Sequence, residues 1–116
     1  MYKSNTHEEM FFHFHEPLYD HAAKVEKKFN GATVFLRCEM GVWKGAASLC
    51  SSNDPFSRKV GRQVARRRFF STSKKLVEEG KFGDYFIYGT DRPTYDGVKE
   101  FLTRKFSVEF VNGVEE

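Results

Sequence analysis

Apolar residues recur along the chain in two different rhythms, and the switches between them mark the elements. MFFHFH, from Met10 to His15, is short and aromatic-rich, which suits a strand. Leu18, Ala22, Val25 and Phe29 then recur at intervals of three or four, with Lys24, Lys27 and Lys28 between them. That spacing predicts an amphipathic helix over 18–29, opened by Pro17 and closed by Asn30-Gly31. The stretch ATVFLRCEMGVWKGAASLC predicts a hairpin over 32–50 with its tight turn at Met40-Gly41, where glycine tolerates positive φ. Asn53 or Asp54 caps a second helix with Pro55 in its first turn, running over 56–79 to Gly80, and Phe69-Phe70 with the STS triplet leaves room for a bend. Tyr85 to Tyr88 reads as a strand between glycines. Thr94 or Asp96 starts a short helix with Val98, Phe101 and Leu102 inward. Phe106, Val108 and Phe110 alternate with polar residues, the period of a half-buried strand.

The predicted order is β-α-β-β-α-β-α-β. It implies an α+β fold, a small antiparallel sheet containing the 32–50 hairpin packed against two main helices at 18–29 and 56–79. With 116 residues, 40% hydrophobic and 13 of them Phe, there is material for one core and no need of metals or disulfides as staples. Residues 1–9 read as a flexible N-terminus, 10–111 as a single domain and 112–116 as a polar tail. No stretch approaches the roughly 20 apolar residues of a membrane span. The start has no apolar signal-peptide core, so the expectation is a cytoplasmic protein with Cys38 and Cys50 free.

Charge changes the picture at one place. Net charge is +3, yet Arg58, Lys59, Arg62, Arg66, Arg67, Arg68, Lys74 and Lys75 put +8 between Pro55 and Val77 with no acid, leaving −5 for the remainder. On a helical wheel Arg58, Lys59, Arg62 and Arg66 share one sector, Val60 and Val64 lie opposite and can face the core, and Arg67 falls near the valines. Such a stripe on a rigid helix suits successive phosphates, with Lys74 and Lys75 extending the field. The expected function is a non-catalytic accessory protein that contacts DNA or RNA through Arg58, Lys59, Arg62, Arg66, Arg67, Lys74 and Lys75. Phe69, Phe70, Tyr85 or Tyr88 would stack on unpaired bases if exposed. The alternative is a regulator that docks an acidic partner protein through arginine and aromatic anchors, with homodimerisation left open. A solvated helix face accounts for the same residues without any partner.

The segment GAASLCSSNDPFSRKVGRQVARRRF, residues 45–69, resembles one found in small uncharacterised proteins of bacteriophages and some bacteria. There a G-x-A strand set is followed by an acidic turn and a G-x-x-x-A-x-x-R helix. The matching positions are Gly45, Ala47, Cys50, Asp54, Phe56, Gly61, Ala65 and Arg68. The resemblance covers about a fifth of the chain. It implies a phage accessory origin, with the host cytoplasm as the site of action, and no catalytic role. The residues themselves imply close packing, with Phe56 plugging the helix start and Gly61 and Ala65 letting the helix lie near Gly45 and Ala47.

Other chemistry has thinner support. His13 and His15 share a strand face, with His7 or His21 as further candidates, but zinc wants three or four ligands and the Cys spacing fits no finger. Asp54, Asp84, Asp91 and Asp96, with Glu78 or Glu79, suggest a magnesium nuclease no better than they suggest caps and turns. GKFGDY lacks the spacing of a phosphate loop. No cofactor, metal or catalytic residue is assigned, and whether the chain is an enzyme stays open, with the balance against it.

Overall fold

The computed structural model describes residues 8–20, 27–51, 55–72 and 85–110. The elements are β1 (Glu8–Phe14), β2 (Leu18–Asp20), β3 (Lys27–Glu39), β4 (Val42–Ser51), α1 (Arg58–Thr72), β5 (Phe86–Gly89), α2 (Tyr95–Phe106) and β6 (Val108–Phe110). The protein is a small α+β fold, a curved antiparallel sheet contacted by two helices. Strand order is β5-β4-β3-β2-β6, with β1 also paired to β3 beside β2.

The long hairpin β3–β4 organises everything else. Its turn residues Met40 and Gly41 have φ of 53° and 80°, the doubly positive pattern of a two-residue hairpin turn whose twist matches the strands. Because side chains alternate along a strand, the apolar run of β3 feeds two cores at once. Ala32, Val34 and Leu36 join Phe14, Leu18, Trp43, Ala47 and Phe86 on one face, under Val98, Phe101, Leu102 and Phe106 of α2. Phe35 joins Ala46 on the other face, under Ala65 and Phe69 of α1. A sheet apolar on both sides needs a cover on each.

Two expectations need correction. The helix predicted over 18–29 is absent where the structure describes it. Leu18 pairs with Phe29 of β3 and with Phe110 of β6, so this stretch is sheet at both ends, and residues 21–26 lie outside the described residues. Leu18 is fully buried by those pairings, and tertiary burial outweighs a helical spacing that four apolar residues match by coincidence. Asn30-Gly31 is therefore no helix stop. Gly31 sits at a register shift in β3, where a Cβ would lie 2.6 Å from the Phe14 carbonyl and 2.7 Å from the Phe56 ring.

The second correction concerns the phase of α1. Val60 is 54% exposed, and the inward row is Gly61, Ala65 and Phe69. The helix lies over Thr33 and Ala46, whereas Ala47 belongs to the opposite core and Gly45 is paired with Leu36. Small residues win the inward row because they let the helix axis approach the sheet, and Phe69 then fills the wider end against Phe35 at a ring separation of 5.2 Å.

Three boundaries also move. β1 starts at Glu8, so Glu8 and Glu9 are paired strand and not part of a flexible N-terminus. α1 starts at Arg58, with Pro55 before the helix and not in its first turn, and Ser57 Oγ accepts from the Val60 amide at 3.2 Å, while Asn53 and Asp54 lie outside the described residues. Phe106 closes α2 and does not open β6. The Thr94 hydroxyl accepts from the Gly97 amide at 3.0 Å, Asp96 sits in the first turn of α2, and Arg104 and Lys105 sit in its last. That is the charge order a helix dipole favours. Glu16 ties the far end of β1 to α2, accepting from Lys99 Nζ at 2.7 Å and from the Tyr95 hydroxyl at 3.1 Å. Residues 73–80 of the predicted 56–79 helix and its Gly80 stop lie outside the described residues.

Gly61 generates a direct test. A Cβ there would stand 2.3 Å from Thr33 Oγ1 and 2.9 Å from Thr33 Cβ, and Thr33 is buried. Gly61→Ala is expected to lower stability by about 1–3 kcal/mol despite the gain of about 1 kcal/mol in helix propensity. Adding Thr33→Ala should recover part of that loss, read as non-additivity in urea denaturation. Additive losses would show that the two residues do not meet.

Candidate nucleic-acid interface

The close seat of α1 on Thr33 fixes where each basic side chain goes. Arg58, Lys59, Arg62, Arg66, Arg67 and Arg68 are all exposed. Lys74 and Lys75 lie outside the described residues. With Gly61, Ala65 and Phe69 inward, Arg58, Arg62 and Arg66 follow one another at four-residue spacing along the flank above β1. Arg67 and Gln63 point away from the sheet, and with Arg66 and Phe70 they line a shallow depression. Arg68 takes the other flank, where its Nη1 donates to the Ala47 carbonyl at 3.0 Å. The arginine triplet is thereby divided three ways.

β1 supplies a second set of groups beneath that row, because Glu9, Phe11 and His13 alternate onto the α1 face. The Arg66 guanidinium lies 4.8 Å from the centre of the Phe70 ring and 3.8 Å from Glu9 Oε2. Arg37 of β3 shares both neighbours, donating to Glu9 at 3.0 Å and standing 5.1 Å from the Phe70 ring. So one end of the row is partly neutralised and braced by an aromatic plate. At the other end no described carboxylate is paired with Arg58 or Arg62. His13 is their neighbour, hydrogen-bonded through Nδ1 to Thr33 Oγ1 at 3.0 Å. Burial first, and then the charges of Arg58 and Arg62, hold its imidazole below the ordinary 6.5.

The two helices treat their dipoles in opposite ways. α2 has an acid in its first turn and bases in its last, whereas α1 has no acid in its first turn and begins Arg58-Lys59. Cations at a helix N-terminus are disfavoured by about 0.3–1 kcal/mol each, since that end already carries partial positive charge. A local rule broken at an exposed position is where function is to be sought.

Phe56 does not simply plug the core. It stacks on His15 at 4.6 Å and meets the His13 ring edge-on at 6.3 Å, so both histidines do share one side of the sheet, gathered around an aromatic ring. Among the described residues no group of three or more His, Cys, Asp or Glu is placed to hold a metal ion, and His7, His21, Asp54, Asp84, Glu78 and Glu79 lie outside them. Cys38 and Cys50 are half-buried at opposite ends of the hairpin, opposite Trp43 and Gly31, too far apart to bridge each other, and Cys50 Sγ donates to the Pro55 carbonyl at 3.5 Å. The aromatics suggested for base stacking divide: Phe69 is buried, while Phe70, Tyr85 and Tyr88 are half-buried. No helix among the described residues is long and apolar enough to cross a membrane.

Three contributors escaped the sequence reading: Glu9, His13 as a neighbour of the arginines, and Arg37. Their meeting depends on the pairing of β1 with β3, Glu9 opposite Arg37 and His13 opposite Thr33, 28 and 20 residues apart in the chain. Comparison with protein-family models, with curated proteins and with solved structures finds no match to the chain.

The depressed His13 has a consequence for stability. Well above pH 6.5 it is neutral folded and unfolded alike. As pH falls below 6.5 the unfolded chain takes up the proton first, so stability drops until the lower folded value is passed. His13→Gln is expected to lose less stability than the wild type between about pH 7 and 5, measured by denaturation at each pH. Parallel profiles for the two proteins would remove His13 from the positive field.

Proposed function

We propose that the protein is a non-catalytic accessory protein that contacts nucleic acid through the outer flank of α1, with Arg58, Lys59, Arg62, Arg66 and Arg67 meeting successive phosphates. The observation that carries this reading is a row of exposed cations starting at the positive end of the α1 dipole. Only Arg66 has a described carboxylate within 4 Å. Phosphates along the row would relieve both the mutual repulsion and the adverse dipole. Arginine forks suit phosphate oxygens, and Phe70 offers a half-exposed ring beside Arg66 for an unpaired base. The reading is of a phage-type accessory protein acting in the host cytoplasm.

The grouping of Gln63, Arg66, Arg67 and Phe70 also supports a second reading, an arginine-aromatic anchor for an acidic partner protein. The two differ in salt response and in the ligand retained after nuclease treatment.

Binding of fluorescent single- and double-stranded DNA and RNA, followed from about 50 to 300 mM salt, tests the first reading. Three or four phosphate contacts predict a log-log slope of about −2 to −4. Arg62→Glu with Arg66→Glu is expected to weaken binding at least about tenfold and flatten that slope while far-UV circular dichroism is unchanged. Affinity that survives the double reversal, or no binding at about 150 mM salt, would reject the assignment.

A further inference from the structure

Three strands have a single strand partner among the described residues, β1, β5 and β6, and they are unequal, β6 being three residues long. β5 is four residues long and ends at Gly89. β1 is seven residues long, reads EEMFFHF, and pairs on one side only, with β3. Outer strands are usually blunted by lysine, proline, a bulge or shortness. Charged side chains blunt an edge too, and β1 has them only at Glu8 and Glu9; it carries no lysine, proline or bulge, and Met10, Phe11, Phe12 and His13 are half-buried along it.

We infer that β1 is a self-association edge, taking the β1 strand of a second copy in antiparallel register about a two-fold axis at Phe11. The occupant is argued from the strand's own complementarity. In that register Phe11 faces its own copy, Met10 faces Phe12 of the other chain, and Glu9 faces His13. Glu9, Phe11 and His13 already lie on the α1 face, as their contacts with Arg66, Phe35 and Thr33 establish, so an acid and an imidazole come opposite each other twice across the axis. Met10 and Phe12 pack beside the α2-side core, so their pairing would continue that core across the junction. A one-residue slip would set Glu9 against Phe12 or Phe14 and lose both carboxylate–imidazole pairings.

The proposal stands apart from the nucleic-acid reading, though it bears on it. A two-fold axis perpendicular to the sheet puts both α1 helices on one face. Each α1 covers β3 and β4, which places the pair about four strand spacings, roughly 19 Å, apart with their Arg58-Arg62-Arg66 flanks facing each other. A seven-residue strand pair is small for a stable interface, below about 1,200 Å², so the dimer is expected to be concentration-dependent.

Sedimentation velocity of the full chain, freed of nucleic acid, from about 5 to 500 µM tests this. The expected result is a rise from 13.5 kDa towards twice that mass, and His13→Glu, which sets two carboxylates against each other across the axis, should abolish the rise. Cysteine placement gives a second readout. Paired Cα atoms about 4.5–5.5 Å apart fall within disulfide range, so mild oxidation should cross-link Phe11→Cys and leave Ile87→Cys, exposed on β5, and the wild type uncross-linked. A monomer throughout, a dimer indifferent to His13→Glu, or cross-linking through residue 87 instead of residue 11 would each overturn the proposal.

Discussion

Contact between Gly61 and Thr33 sets the position of nearly everything on the α1 side of the molecule. With no Cβ at 61, the helix backbone rests directly on a buried threonine side chain, and a helix that close cannot rotate without driving a larger residue into β3. The phase is then settled for the whole helix. Ala65 and Phe69 follow Gly61 inward, Arg68 turns to the Ala47 carbonyl, and Arg58, Arg62 and Arg66 line up above β1. The same threonine hydroxyl holds His13, so the groups under the basic row are tied to the residue that seats the helix.

Demand for that seat comes from the hairpin. β3 and β4 carry apolar side chains on both faces, and burying one full-sized side chain is worth about 1.5–3 kcal/mol. α2 covers one face with four buried apolar residues. α1 covers the other with fewer, of which Phe69 is the only large one fully buried. A helix with so narrow an apolar stripe has most of its circumference free for charge. That is why α1, with six cations and no acid between Arg58 and Thr72, can still serve as a structural helix.

How far the sequence disclosed this depended on the range of the interaction. The hairpin, its Met40-Gly41 turn, β5, and α2 with its Thr94 cap were legible because turn chemistry and strand alternation act within a few residues. The stretch 18–29 misled because its helical spacing is local, whereas the pairings of Leu18 with Phe29 and Phe110 that override it are not. The α1 wheel misled in a different way: valines outrank glycine on any hydrophobicity scale, but close approach selects for small size. The arginines themselves were plain in the sequence. Their neighbours Glu9, His13 and Arg37 became visible only through the β1–β3 register.

The phase of α1 is best measured by nuclear Overhauser contacts in the isotope-labelled protein. The account predicts cross-peaks from the Gly61 α-protons to the Thr33 side chain and from the Ala65 methyl to the Phe35 ring, with none from the Val60 methyls to β3. Val60 contacts to Phe35 or Thr33, with Gly61 silent, would mean a rotated helix and a basic row on a different flank, which would contradict the account.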